Sequence, residues 1–549
     1  MKKKIIPVIV VFFLIIIIAG VGLVSRYIPT REKMDLAEYY GQTAEGEAVL
    51  ILGTEKMEER ALISNGAAYL SVSTVNTYLN QRYYWDAENQ QILYATPSVL
   101  EAYPGAAEAG GSVWVKDGTA YLSLDLVKKY TDIDAYVYEN PSRVTIQYQF
   151  TDLNTVTVQK KGYIRYQGGT KSPVLTGIAK GATLLLLEEM ETWACVATFD
   201  GYIGYIEKAK ISSPAVISLE RSFQREEYTY LSMDEPVNMV WHQVTNVDAN
   251  AMLADDMANA TGVNVISPTW FSVIDNAGNI SSIASADYVS QAHSMGLQVW
   301  GLVDNFNENM STTEVLSHTS SRQNLVQQLK NVALEYGLDG INIDFEYLSE
   351  EVGIHFLQFL RELSIECHNN GLVLSVDNPV PEDFTSHYDR AEQGKVVDYV
   401  IIMGYDEHYS GSEVAGSVAS LPWVEKGIQD TLAEVPAERV INAVPFYTRL
   451  WRLDSVMPYS EAIGMDLAQQ VLQENNADVY WNTEVSQYFG TYEKEGSTFQ
   501  IWLEESESIA EKVKLVNKYN LAGVAAWKLG FENSSVWQAI SENLQKTAE

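Results

Sequence analysis

The sequence predicts an α/β fold: from about Pro236 onward a closed (β/α)8 TIM barrel with a small insertion, preceded by a transmembrane helix, α+β repeat modules and a small β-barrel. Two observations predict the large barrel. Eight short apolar, β-rich runs alternate with amphipathic helical stretches: Met239–Trp241, Val263–Ile266, Gln298–Val303, Gly340–Phe345, Val373–Val376, Tyr399–Met403, Val440–Val444 and Val524–Trp527. Such alternation implies parallel strands with helical crossovers, and eight of these close on themselves. The second observation is that polar and aromatic residues gather at the C-terminal ends of the runs, the rim where such barrels carry reactive groups. The interval between runs seven and eight is longer than the others and holds Tyr480, Trp481 and Thr498–Trp502, which predicts an inserted hairpin walling one side of a cleft.

At 549 residues the chain is longer than one hydrophobic core usually supports, and 46% apolar with 20% charged residues is a globular composition. Residues 1–25 read as a cytoplasmic tip and membrane anchor. The run Ile5–Val24 is apolar apart from Pro7 and its glycines, and it follows Lys2, Lys3 and Lys4, which stay inside by the positive-inside rule. A cleaved signal peptide is the alternative, but no clean small-residue cleavage site follows the run. The remainder is then extracytoplasmic, and export without a cysteine framework suits a Gram-positive envelope. The two cysteines, Cys195 and Cys367, permit one disulfide at most. A net charge of −35 argues against nucleic acid as a partner and against simple charge attraction to anionic wall polymers or lipid headgroups.

After a linker, 26–47, residues 48–150 hold two copies of one pattern, read from Gly66 and Gly118. In each, a turn dipeptide (Asn65-Gly66, Asp117-Gly118) leads into a short strand, an amphipathic helix and a hairpin. The copies resemble the β-α-β-β modules of copper amine oxidase N-termini, which implies a scaffold or docking role. Residues 154–211 show short strands, Gly-centred turns and the closing Gly201-Tyr202-Ile203-Gly204-Tyr205-Ile206, resembling a bacterial SH3-like domain. Residues 232–545 are expected to form the large barrel.

The chemistry concentrates in Leu338-Asp339-Gly340-Ile341-Asn342-Ile343-Asp344-Phe345-Glu346. Alternation on a strand sends Ile341, Ile343 and Phe345 toward the outer helices and Asn342, Asp344 and Glu346 into the barrel. Buried polar groups must serve one another, and adjacent carboxylates push their pKa values apart, so that one can act as an acid while the other stays anionic. No second carboxylate is obvious as an attacking nucleophile. The seven histidines show no metal-ligand spacing, and no phosphate loop or nicotinamide fingerprint is present, so no cofactor is expected.

This segment resembles the D-x-x-D-x-D-x-E signature of glycoside hydrolase family 18, the chitinase-like enzymes, with Asp339, Asp344 and Glu346 in three acidic positions and Asn342 in the fourth. The N-I-D-F-E wording is similar to the spore cortex-lytic N-acetylglucosaminidase branch. Met403-Gly404-Tyr405-Asp406 matches the family's M-x-Y-D, and Trp527 stands where the family has an aromatic floor. The resemblance implies a retaining, substrate-assisted hydrolase, in which the sugar's own 2-acetamido oxygen attacks. Glu346 is then the proton donor. Asp344 accepts the acetamido N–H, Tyr405 holds the acetamido oxygen, and Asp406 orients the sugar. Asn342 is expected to donate to Asp344 and lower its pKa. Asp377 and Asn378 are candidates to line the cleft, with Asn378 carried as substrate-binding. Trp451 is the best sugar-stacking candidate among Trp241, Trp270, Trp300 and itself, and Asp304 and Asn305 serve either the cleft or a loop cap. The implied partner is a cell-wall glycan, peptidoglycan before chitin, and the alternatives are a chitinase and a non-catalytic glycan-binding relative.

Overall fold

The computed structural model describes residues 10–11, 13, 28–453 and 457–544. The apolar run Ile5–Val24 lies outside them except for Val10, Val11 and Phe13, and among the described residues no helix is long and apolar enough to cross a membrane. The chain divides into two compact units, one ending at Glu226 and one beginning at Glu227, with residues 94–101 grouped with the second.

In the first unit the two sequence copies follow one order: strand Ala67–Ser71, helix Val72–Tyr78 and strands Tyr83–Asp86 and Gln91–Ala95, then Thr119–Ser123, Leu124–Tyr130, Asp134–Glu139 and Ser142–Gln147. The turns that start them place Asn65 and Gly66, and Asp117 and Gly118, at positive φ, which Asn, Asp and Gly tolerate best. Ser71 and Ser123 then cap the two helices, accepting from the backbone N–H of Thr74 and Leu126. The first strands of the copies pair antiparallel, Leu70 opposite Leu122. Residues 153–217 form a separate seven-stranded antiparallel sheet over a core that includes Val156, Ile164, Leu184, Val196 and Ile206. A Cβ on Gly204 would stand 2.4 Å from the Arg165 carbonyl oxygen, which is why the closing motif carries glycine there. Cys195 and Cys367 are both unpaired.

The second unit is the barrel. Its strands are β1 (Val237–His242), β2 (Val265–Val273), β3 (Gln298–Asp304), β4 (Gly340–Asp344), β5 (Val373–Pro379), β6 (Tyr399–Met403), β7 (Val440–Pro445) and β8 (Gly523–Trp527). Each is parallel to its neighbours, and β1 pairs with both β8 and β2, which closes the ring. Residues of one parity, Met239, Trp300, Tyr399, Ile401 and Ala443 among them, fill the interior, and those of the other parity join the helix-facing core. The insertion between β7 and β8 is larger than the expected hairpin. It is a five-stranded antiparallel sheet, in the order 459–464, 447–453, 497–503, 487–494, 478–482, backed by helix Met465–Glu474 through Ile463, Ala468, Leu472 and Ile501. Its first two strands, Tyr447–Leu453 and Tyr459–Gly464, alternate arginine, glutamate and serine with apolar residues, a weaker signal than the apolar runs of the barrel.

Candidate active site

At the end of β4, alternation sends Ile341, Ile343 and Phe345 outward, where the Phe345 ring stacks on Phe359 at 5.6 Å. Asn342, Asp344 and Glu346 point into the barrel. Asn342 is fully buried with its amide completely used: Oδ1 accepts from Trp241 Nε1 at 2.9 Å and Ser267 Oγ at 3.2 Å, while Nδ2 donates to Ser375 Oγ at 3.0 Å and Asp377 Oδ1 at 2.9 Å. An indole N–H can only donate, so Trp241 fixes which way the amide faces. The expected bond from Asn342 to Asp344 is therefore not made, because both amide hydrogens are taken by β5.

Asp344 is 7% exposed and its Oδ1 has no hydrogen-bond partner. Burial raises its pKa well above the ordinary carboxylate value, and the charges of Asp377, Glu346 and Asp304 push it further up. This reverses the lowering expected from Asn342. Burial likewise raises Asp377, against the hydrogen bond from Asn342, which favours its anion.

Glu346 lies just beyond the strand, half-buried, and borders a cavity of about 530 Å³ lined also by Asn305, Phe306, Thr312 and Tyr347. Burial, then the charge of Asp406, raises its pKa. Asn305 grips its backbone on both sides: Glu346 N–H donates to Asn305 Oδ1 at 2.9 Å, and Asn305 Nδ2 donates to the Glu346 carbonyl at 3.0 Å. Asp304 accepts from Ser272 Oγ at 2.8 Å and from the Phe306 N–H at 3.1 Å, a loop-capping arrangement.

β6 delivers Met403 at its end, half-buried beside Ala443 of β7, and then Tyr405 and Asp406. Burial raises the Tyr405 phenol well above its usual value, so the hydroxyl stays protonated as a donor. Asp406, at φ 61°, accepts from Tyr447 of the insertion at 2.6 Å. Trp527 closes β8, half-buried, its ring 6.0 Å from that of Trp241.

Asp339, expected from the motif to bind substrate, sits elsewhere, as do Asn378 and Trp451. Asp339 precedes β4 at the opposite end of the barrel, roughly 17 Å along the strand from Asp344, where it accepts from the Val299 N–H and from His293 Nε2, both at 2.8 Å. Asn378 has the outward parity of its strand and exchanges hydrogen bonds with Gln393, at 2.7 and 3.2 Å, so Asp377 is the inward residue of that pair. Trp451 is 0% exposed and donates to the Gly416 carbonyl at 2.9 Å, which leaves no face for a sugar. Trp241, Trp270 and Trp300 are buried as well. Counting parity from the small inward Ser375 would have selected Asp377, but nothing in the sequence pointed to Tyr447. Among the described residues no group of three His, Cys, Asp or Glu side chains could hold a metal ion.

The family described as Glycosyl hydrolases family 18 matches residues 248–532. The cortical fragment-lytic enzyme of Bacillus subtilis (strain 168) is 28% identical over 241 residues, 42% of this chain and 55% of that protein, so the chain spans about half the length of this relative. An uncharacterized glycosylase of the same organism, YvbX, is 26% identical over 292 residues, covering 51% of this chain and 84% of its own length. The crystal structure of the Bacillus cereus spore cortex-lytic enzyme SleL superposes with a TM-score of 0.53 at 19% identity, over 60% of this chain and 80% of that one, which is a likeness of fold.

Proposed function

The chain belongs to glycosyl hydrolases family 18, and from that premise we propose that it is a retaining glycosidase that cleaves β-linked N-acetylglucosaminyl bonds in cell-wall peptidoglycan with help from the substrate's acetamido group. One observation carries the reading: Glu346, with a raised proton affinity, borders an open cavity while Asp344, on the same inward face one step deeper, keeps an unpartnered oxygen. Glu346 holds its proton toward neutral pH and delivers it to the leaving oxygen, then takes one from water in the second step. Asp344 receives the acetamido N–H and, as an anion, balances the positive charge that develops on the oxazolinium ring. The Tyr405 hydroxyl donates to the acetamido oxygen and holds it below the anomeric carbon, which makes the attack intramolecular. Asp406, held by Tyr447, orients the sugar, and Trp527 floors it. Peptidoglycan is preferred to chitin because a sequence relative named as a cortical fragment-lytic enzyme is among those matched. The reading also puts the chain on the outer side of a Gram-positive membrane, held by Ile5–Val24; the length of that run and the three lysines before it support this.

The test is digestion of purified peptidoglycan and of chitooligosaccharides, with products read by mass spectrometry. New N-acetylglucosamine reducing ends from peptidoglycan are expected, and preferential cleavage of chitooligosaccharides makes it a chitinase. Glu346→Gln should keep the fold and much of the affinity yet lose roughly 10²–10⁴-fold in kcat, the usual worth of general acid catalysis. Turnover at the wild-type level in that variant rejects the assignment.

A further inference from the structure

We propose that Asp377 is the proton-holding partner of Asp344: the two share one proton, which sits on Asp344 in the empty site and passes to Asp377 when a substrate N–H docks on Asp344. The inference rests on the function proposed above and names a residue that the reaction then needs.

The placement comes from strand register. β4 and β5 are parallel neighbours with Asn342 beside Ser375 and Ile343 beside Val376, so the next rung puts Asp344 beside Asp377. Both point into the barrel and both are buried. Neighbouring strands run about 4.8 Å apart, which leaves two carboxyls of one face in each other's field with little water between them. Like charges so placed do not both ionise. The groups that face the pair do not relieve this: Asp304 from β3, Glu346 beyond β4 and Tyr405 beyond β6 are acids, and among the described residues no cation is a leading influence on either carboxyl.

Asn342 decides where the proton rests. Locked by Trp241 and Ser267, its amide donates to Asp377 and stabilises the anion there, whereas Asp344 receives no such bond. In the empty site the proton therefore stays on Asp344. An incoming amide N–H donates to Asp344 and reverses the preference. The O–H bond of Asp344 breaks, one forms on Asp377, and the pair keeps a single negative charge throughout, now on the carboxyl that faces the substrate. Asp377 touches no reacting atom; it is a positioning residue that acts through Asp344.

Asp377→Asn separates this from a purely structural role, because an amide carbonyl at 377 can still accept from Asn342. With the partner gone, Asp344 must lose its proton to solvent, from a single carboxyl that titrates above the first ionisation of the pair. The acidic limb of kcat/KM against pH is expected to move up by about one unit or more. Binding of a chitooligosaccharide in a Glu346→Gln background, followed by calorimetry at neutral pH in buffers of different ionisation enthalpy, should release no proton with Asp377 present and close to one with Asn in its place. An unmoved or lowered acidic limb, or equal proton release, overturns the proposal. A third measurement needs no ligand. Between about pH 4, where free carboxyls ionise, and the upper ionisation of the pair, the folded protein binds a proton that the unfolded chain has lost. Stability therefore falls as pH rises through that window. Asp344→Asn should reduce this fall and raise the Tm at neutral pH, whereas Asp377→Asn, which leaves the buried Asp344 carboxyl holding its proton, should keep it, and a wild-type slope in Asp344→Asn rejects the shared proton. Failure of wild type to cleave or bind any N-acetylglucosaminyl ligand rejects the proposed function instead, and the melts still decide the pair.

Discussion

Glu346 is asked to keep a proton near neutral pH in a protein whose solvent would take it, and two neighbours divide that work. Partial burial penalises its anion, and the Asp406 carboxylate, anchored by Tyr447, repels a second negative charge. Removing that charge by Asp406→Asn should lower the Glu346 pKa, so the acid form is lost at lower pH. The alkaline limb of the pH–rate profile then shifts toward acid, by up to about one unit for a charge at this range. Rates across pH 5–9 check this, and an alkaline limb that stays in place means another group sets it. At this scale the sequence was legible where side-chain parity was unambiguous: the inward facing of Asn342, Asp344 and Glu346 follows from the isoleucines between them. It misled at Asp377-Asn378, where both faces of the strand bury a polar side chain and only the parity counted from Ser375 and Val376 tells them apart. Asp339 shares a motif with Glu346, but the rise of a strand, about 3.3 Å per residue, already separates the two by the depth of the barrel and sets them at opposite rims.

Elements were legible in proportion to how strongly one force shaped them. The eight barrel strands are nearly continuous apolar runs because helices cover one face and the packed interior the other. The insertion is a sheet with one face on its own helix and the other toward the barrel loops, so its strands mix arginine, glutamine and aromatics. Burial of Trp451 against the Gly416 carbonyl depends on a loop that folds back from β6, a long-range contact with no local signal. The duplicated modules lie at the other extreme. Their turns and caps are written in adjacent residues: a positive-φ dipeptide, then a strand, then a serine whose hydroxyl accepts from the backbone N–H of the third helix residue. Ser71→Ala and Ser123→Ala should each destabilise the first unit by about 1 kcal/mol, the usual cost of losing such a cap. Chemical denaturation of the full chain reads this as a lower midpoint of the transition assigned to that unit, with catalytic rates unchanged. Loss of activity in either variant contradicts a structural role confined to the cap.

Across the whole molecule the dominant property is charge. With 72 acidic against 37 basic residues, the protein carries −35 at neutral pH, and a wall glycan bearing peptide carboxylates carries the same sign. Approach is then opposed at long range, and capture has to come from short-range contacts of the cleft with the sugar. Screening separates the two contributions, because the Debye length contracts from about 30 Å at 0.01 M salt to about 8 Å at 0.15 M. Raising salt across that interval should lower KM for soluble peptidoglycan fragments severalfold while kcat stays constant. The same titration on neutral chitooligosaccharides should leave both parameters flat, since an uncharged ligand has no repulsion to screen. Equal salt responses for the two substrates are incompatible with this account and imply that salt acts on the protein's conformation. A KM for the carboxylate-bearing fragments that rises with salt reveals a local basic surface that the net charge conceals.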